Sequence, residues 1–367
     1  MECSTYVARP TGEGVGAAAD RTRRRRPAIL GIGLVAVLAV WLGVVASAAA
    51  AVPAAEPSTP AAEPPAGHIA FVRDGNIWLM DTDGSDQRQI SQLGGAEQPV
   101  WSPCGRQIAY LRNGKPRIIT LSSLSDEPVP FKLGSKQMPW PTKAYVKSRT
   151  YWVGGIAWSP DGEFLTLGAN VYRKGRNAAH SATATRLFRV RPDGSDQTAI
   201  SPLRPETRRL PGPIARLSWR PDGATLLVSV RKHGAAEVAV FDPATRTYAK
   251  PFATLHLGYG VWDPHGQGIL VSHQDTWGKP GRAALELIDG TTFERTVLLR
   301  TDAKVTDPSG IWASWYNQSA WIVCGVTDWD DAEGGYASKL YVLTTAGGEA
   351  RVIGENARQP AWRPGGG

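Results

Sequence analysis

Cysteine is scarce: Cys3, Cys104 and Cys324 are the only three in 367 residues. A fold stapled by a disulfide framework is excluded. Long apolar runs are scarce too, with one at residues 29–45, so a multi-span membrane protein is excluded. No Gly-x-Ser-x-Gly nucleophile elbow and no phosphate-cradling glycine loop occurs. His68, His180, His233, His256, His265 and His273 are nowhere closely paired, which leaves a zinc cluster without sequence support. Phenylalanine, at 7, is outnumbered by tryptophan, at 14, and that inversion needs a cause.

The charge balance is +8, but part of it is local. Residues 1–26 hold six Arg against three acids, leaving 35 cationic and 30 anionic residues in the remainder. That excess is too small to point to nucleic acid, and no nucleic-acid partner is expected. Four consecutive arginines, Arg23 to Arg26, precede an uncharged stretch at 28–51. Basic residues resist translocation, so residues 1–27 are expected in the cytoplasm and the bulk of the chain outside it. The apolar stretch reads as a single helix, a signal anchor holding the protein to the cell membrane. The alternative is a signal peptide cleaved near Ala48, which would release the protein. Residues 52–67, VPAAEPSTPAAEPPAG, cannot form a core and read as a disordered Pro/Ala spacer.

From residue 68 the chain repeats itself. Trp-x-Pro-x-Gly recurs at Trp101, Trp158, Trp219 and Trp262, with a degenerate copy at Trp315 and a last one at Trp362. Short apolar strands follow, such as QIAYLR (107–112) and TLLVSV (225–230). Pro fixes φ and Gly accepts positive φ, so each motif sets a tight turn. The tryptophan supplies an apolar plate that can wedge between neighbouring sheets. A small antiparallel sheet with two bare faces is unstable alone. Stacking such sheets around an axis buries both faces, which predicts an all-β propeller over 68–367.

The two ends complete one another. Residues 68–91 have the strands that should follow a turn, and residues 357–367 have the turn without the strands. The expectation is six blades, closed by pairing the C-terminal strand with the N-terminal blade.

The pattern of apolar strand, Asp-x-Asp-Gly-Ser turn, then Gln-Pro-x-Trp-Ser-Pro-x-Gly resembles the WD40-like repeat of TolB-type propellers, most closely over 69–112. The resemblance implies the propeller and says little about function. TolB-type proteins carry a mixed α/β domain before the propeller, and here only the spacer stands at that place. The Tol–Pal partnership is therefore not carried over.

Extra length collects in loops that such a fold places on one face. The loops leading into the innermost strands are 134–153, 204–213 and 301–309; those between second and third strands are 171–183, 273–280 and 328–337. Functional residues concentrate in loops on a rigid scaffold. One side of this rim is basic and aromatic: Trp140, Tyr145, Lys147, Tyr151, Trp152, Arg173, Lys174, Arg208 and Arg209. The opposite side is acidic, with Asp330 and Asp331. Aromatic residues beside arginine are what binding hot spots use. The innermost strands hold almost no acid or histidine, so no catalytic residue, metal or cofactor is expected. The reading is an extracytoplasmic, non-enzymatic scaffold binding a protein or an anionic envelope component. The alternative is a propeller enzyme of lyase, lactonase or glycosidase type with its site at the channel mouth.

Overall fold

A computed structural model of the chain describes residues 66–138, 148–174, 182–205, 213–232, 235–249, 257–274, 283–300, 311–316, 320–330, 335–346 and 349–364. The apolar run and nearly all of the spacer lie outside them. Among the described residues no helix is long and apolar enough to cross a membrane.

Six separate antiparallel sheets follow one another, five of four strands and one of five. We number them as blades 1 to 6. Their innermost strands are Arg358–Trp362, Ala96–Trp101, Ser148–Trp158, Ile214–Trp219, Leu257–Trp262 and Ile311–Trp315. Each ends on one copy of the repeated tryptophan. Blade 1 is built from both ends of the chain: Arg358–Trp362 lies against His68–Arg73, with Ile69 opposite Trp362 and Ala70 opposite Ala361. The expected closure is present.

The turns follow from the motif. The amides of Gly105, Gly162, Gly223 and Gly266 each donate to the carbonyl three residues earlier, at 2.8 to 3.0 Å. Each of these glycines has φ between +65° and +73°, where a Cβ is strained. The residue after the tryptophan decides what braces the turn. Where it is serine, the hydroxyl stays at home: Ser102 and Ser159 accept from the amides of Gln107 and Phe164, both at 3.0 Å. Where it is arginine, it reaches the next blade. Arg363 donates to the Gly105 carbonyl at 3.0 Å and Arg220 to the Gly266 carbonyl at 3.1 Å. Their guanidiniums lie over the rings of Trp101 and Trp262.

The core is divided among the six junctions. Ile108 and Tyr110 of blade 2 pack with Val72 and Leu79 of blade 1. Leu165 and Leu167 of blade 3 meet Leu111 and Ile118 of blade 2, and the same pattern continues round the ring. The last junction joins Val323 and Leu340 to Ile69 and Phe71. Burying such a side chain contributes about 1.5–3 kcal/mol relative to exposure, so closing both faces of every sheet is what makes the small blades stable. Trp101, Trp158, Trp315 and Trp362 are at most 9% exposed, as plates between sheets should be.

Cys104 is exposed and Cys324 buried, and among the described residues neither forms a disulfide. The Asp-Gly-Ser turns are stabilised from within: Asp83 accepts from the Ser85 amide at 2.9 Å and hydroxyl at 2.6 Å, and Asp193 does the same for Ser195. Those hydrogen bonds hold both carboxyls below the usual carboxylate range.

Candidate functional site at the axis and the blade 3 hairpin

The innermost strands do not run regularly. Each of the pairings made by Ala96–Trp101, Ser148–Trp158, Ile214–Trp219, Leu257–Trp262 and Arg358–Trp362 contains a register shift. Two of them fall on Gln-Pro dipeptides, where Gln98 and Gln359 adopt left-handed φ of +54° and +52°. The proline supplies no amide to the ladder, and a bulge accommodates that gap.

The bulges turn polar groups toward the axis. The Gln359 side-chain oxygen accepts from the Gln98 amide at 2.9 Å. The Gln98 side-chain amide donates to Gly154 O at 2.8 Å and Ala215 O at 3.0 Å. Arg216, next along that strand, donates from Nη2 to Ala313 O at 2.5 Å. Its guanidinium stacks over Trp312 at 4.3 Å, and Trp312 packs on Tyr259 with centroids 5.2 Å apart. Tyr259 in turn accepts from Arg231 at 3.1 Å. Gly154 fits here because a Cβ would stand 2.1 Å from the Ile214 carbonyl. Blade 2 is thus bonded to blades 1, 3 and 4 at the centre, and blade 4 to blade 6.

This network separates two cavities. One, about 790 Å³, opens on the insertion-rich face and receives Glu97, Trp152, Arg231, Tyr259, Trp312 and Arg358, among others from all six blades. The other, about 450 Å³, opens on the face of the Trp-Pro turns. Both volumes are in the range of ligand pockets. Among the described residues no group of three or more His, Cys, Asp or Glu is placed to hold a metal ion.

Of the rim residues read from the sequence, Tyr151, Trp152, Arg173 and Lys174 are described. They stand in strands, not in loops. Ser148–Trp158 and Leu165–Lys174 extend beyond the neighbouring blades as one hairpin, pairing Arg149 with Arg173, Tyr151 with Val171 and Trp152 with Asn170. The sequence reading of 134–153 and 171–183 as loops is corrected accordingly: strand pairing starts at Ser148 and persists to Lys174. Buried Asn170 anchors the hairpin, bonding both the amide and the carbonyl of Ile214 at 2.8 and 3.0 Å. Asp330 ends the strand Trp321–Asp330, so the acidic segment also begins on a strand. The side chain of Asp330, and Trp140, Tyr145, Lys147, Arg208, Arg209 and Asp331, lie outside the described residues.

Trp152 faces two spaces. It lines the 790 Å³ cavity, and with Tyr151 it lines a groove of about 360 Å³ between blades 2 and 3. That groove also carries Arg112, Lys115 and Arg117 beside Phe131. Arg117 is paired with Asp126 at 2.8 Å, whereas Lys115 is exposed. Sequence reasoning missed Gln98, Arg216, Arg231, Tyr259, Trp312 and Arg358. The paired Gln-Pro dipeptides and the single cation in ARLSW were the available signals.

No protein-family model matches this sequence, and no curated protein sequence matches it. Solved structures do resemble it. TolB from Acinetobacter baumannii gives a TM-score of 0.55 at 16% identity, covering 82% of this chain and 67% of that one. An Agrobacterium tumefaciens structure assigned to TolB gives 0.52 at 14% identity, covering 80% and 90%. Likeness at these identities is a likeness of fold. The ring of tryptophan-ended blades, closed by the last strand on the first, is a TolB-like six-bladed β-propeller.

Proposed function

We propose that the protein is an extracytoplasmic, non-enzymatic binding scaffold whose insertion-rich face holds a protein or an anionic envelope component. The observation that carries this reading is the blade 2–3 sector, where Tyr151 and Trp152 lie beside Arg112 and Lys115. Rigid aromatics supply contact area at low entropic cost, and cations beside them select an anionic partner. Arg173 and Lys174 continue the positive charge along the protruding hairpin. Trp140, Tyr145, Lys147, Arg208 and Arg209 complete this basic side in the proposal, with Asp330 and Asp331 across the mouth. The location proposed is the outer side of the cell membrane, held by residues 28–51, or free after cleavage near Ala48.

A photocrosslinking amino acid at Trp152, in the full chain within native envelopes, tests the face. Leu124, exposed in a turn on the opposite face, is the control position. A discrete adduct at Trp152, absent at Leu124 and lost in a Lys115→Glu/Arg173→Glu/Lys174→Glu variant, is expected. Adducts at both positions alike, or insensitivity to charge reversal, would overturn the reading. Mass analysis of the mature N-terminus decides between anchor and cleaved signal.

A further inference from the structure

The cavity on the Trp-Pro face has an unusual floor. Its walls come from the repeated motif: Trp101, Trp158, Trp219, Trp262, Trp315 and Trp362, interleaved with prolines. Two charged residues line it, Arg216 and Asp263. Asp263 is engaged by its own turn, accepting from the amides of His265 and Gln267 at 3.1 and 2.8 Å. Arg216 is 8% exposed, and among the described residues no carboxylate lies within ion-pairing distance of it. A guanidinium carries five N–H donors. One bond goes to Ala313 O and one flat face to Trp312; no other acceptor for it is present among the described residues.

A buried cation without a counter-ion is costly. The cost shows in its acidity: burial pushes the Arg216 guanidinium down to about 9. Structural bracing of the ring would need only a neutral donor, as Gln98 demonstrates by bonding the carbonyl of Ala215. A permanent cation at the closed end of an apolar cavity is what an anion with an apolar stem requires. The planar fork matches a carboxylate in two parallel hydrogen bonds, and the tryptophan and proline walls match the stem.

We propose that Arg216 is the recognition group of a carboxylate site open to the Trp-Pro face, taking an organic acid whose apolar stem lies among the tryptophans. The acid is either a free small molecule or the C-terminal carboxylate of a peptide; the chemistry recognised is the same. This site lies on the face opposite the one assigned to the scaffold partner, and neither proposal depends on the other.

Calorimetric titration of the full chain with phenylacetate and with its neutral isostere phenylacetamide tests it. Two further probes are a short peptide ending in leucine with a free carboxylate and the same peptide amidated. At least one of the two acids is expected to bind tighter than about 1 mM. That acid should exceed its own amide by about tenfold or more. Arg216→Met should abolish the acid-over-amide preference and Arg216→Lys should keep part of it. A free-ended peptide that outbinds phenylacetate identifies a chain terminus as the ligand; the reverse order identifies a small acid. If Arg216→Met does not fold, the comparison of acid with amide in the unaltered protein decides alone. Equal binding of each acid and its amide, binding of neither acid, or a preference that survives Arg216→Met would overturn the proposal.

Discussion

The indole Nε1 of Trp101 donates to the carbonyl of Ala361 at 2.9 Å, across 260 positions of sequence. The first complete repeat is thus bonded directly to the last strand, and ring closure rests on side-chain as well as backbone contacts. Trp101→Phe keeps most of the plate and removes the donor, so it should cost about 1–2 kcal/mol. Deleting residues 358–367 removes the innermost strand of blade 1 and with it Trp362. The loss should exceed the ~3–5 kcal/mol typical of a single buried aromatic truncation. Urea unfolding followed by tryptophan emission measures both, and an unchanged midpoint in the deletion would refute closure as a source of stability.

Asn170 completes the backbone of another blade. Replacement by leucine leaves the amide and carbonyl of Ile214 buried without partners, each worth about 1–3 kcal/mol. The expected destabilisation of Asn170→Leu is therefore about 2–6 kcal/mol. It should be accompanied by faster amide exchange at residues 213–216, read by hydrogen-exchange mass spectrometry.

Tyr110 introduces a pH dependence at the alkaline end. Its hydroxyl is buried and donates to Asp126 at 2.6 Å, and desolvation followed by that bond pushes its pKa far above the ordinary value of 10.0. The native state therefore keeps a proton that the unfolded chain releases. Its contribution is complete below about pH 10 and declines as pH rises beyond it. Tyr110→Phe should be less stable than the unaltered protein at about pH 8 and should lose less stability between about pH 9 and 11. Parallel fall of both proteins in urea titrations across that range would count against this assignment.

The two described cysteines should react differently. Cys324 is fully buried in the blade 5–6 junction, and desolvation pushes its thiol up to about 12. Because the thiolate is the reactive form, Cys324 should resist maleimide in the native state while exposed Cys104 is modified. Peptide mapping before and after denaturation checks this. Early labelling of Cys324 would show that this junction opens more easily than its packing implies.

Much of the architecture was legible in the tryptophan repeats. Their spacing placed the innermost strands, and the unequal chain ends foretold the shared blade. The hairpin around Trp152 was harder to read. TYW and VYRK alternate in a way that suits either a polar loop or a strand leaving the ring, and pairing with a partner strand decides between them. The short strand Arg204–Pro205, which pairs with Ala184 and Thr185 at the edge of blade 3, carries a proline and no apolar alternation. Arg216 was visible as a cation among apolar inner strands. Its inward aim depends on the register shift between Ile214 and Arg216, which no local pattern announces.

Gln98 and Arg216 tie the innermost strands of blades 1, 2, 3, 4 and 6 into one hub. Strands tied in this way resist separate movement, so adaptation to a guest falls to the outer strands and protruding hairpins. Gln98 and Trp312 line both central cavities, whereas Arg216 lines the one on the Trp-Pro face, so the two mouths present different sets of charged groups to an incoming solute.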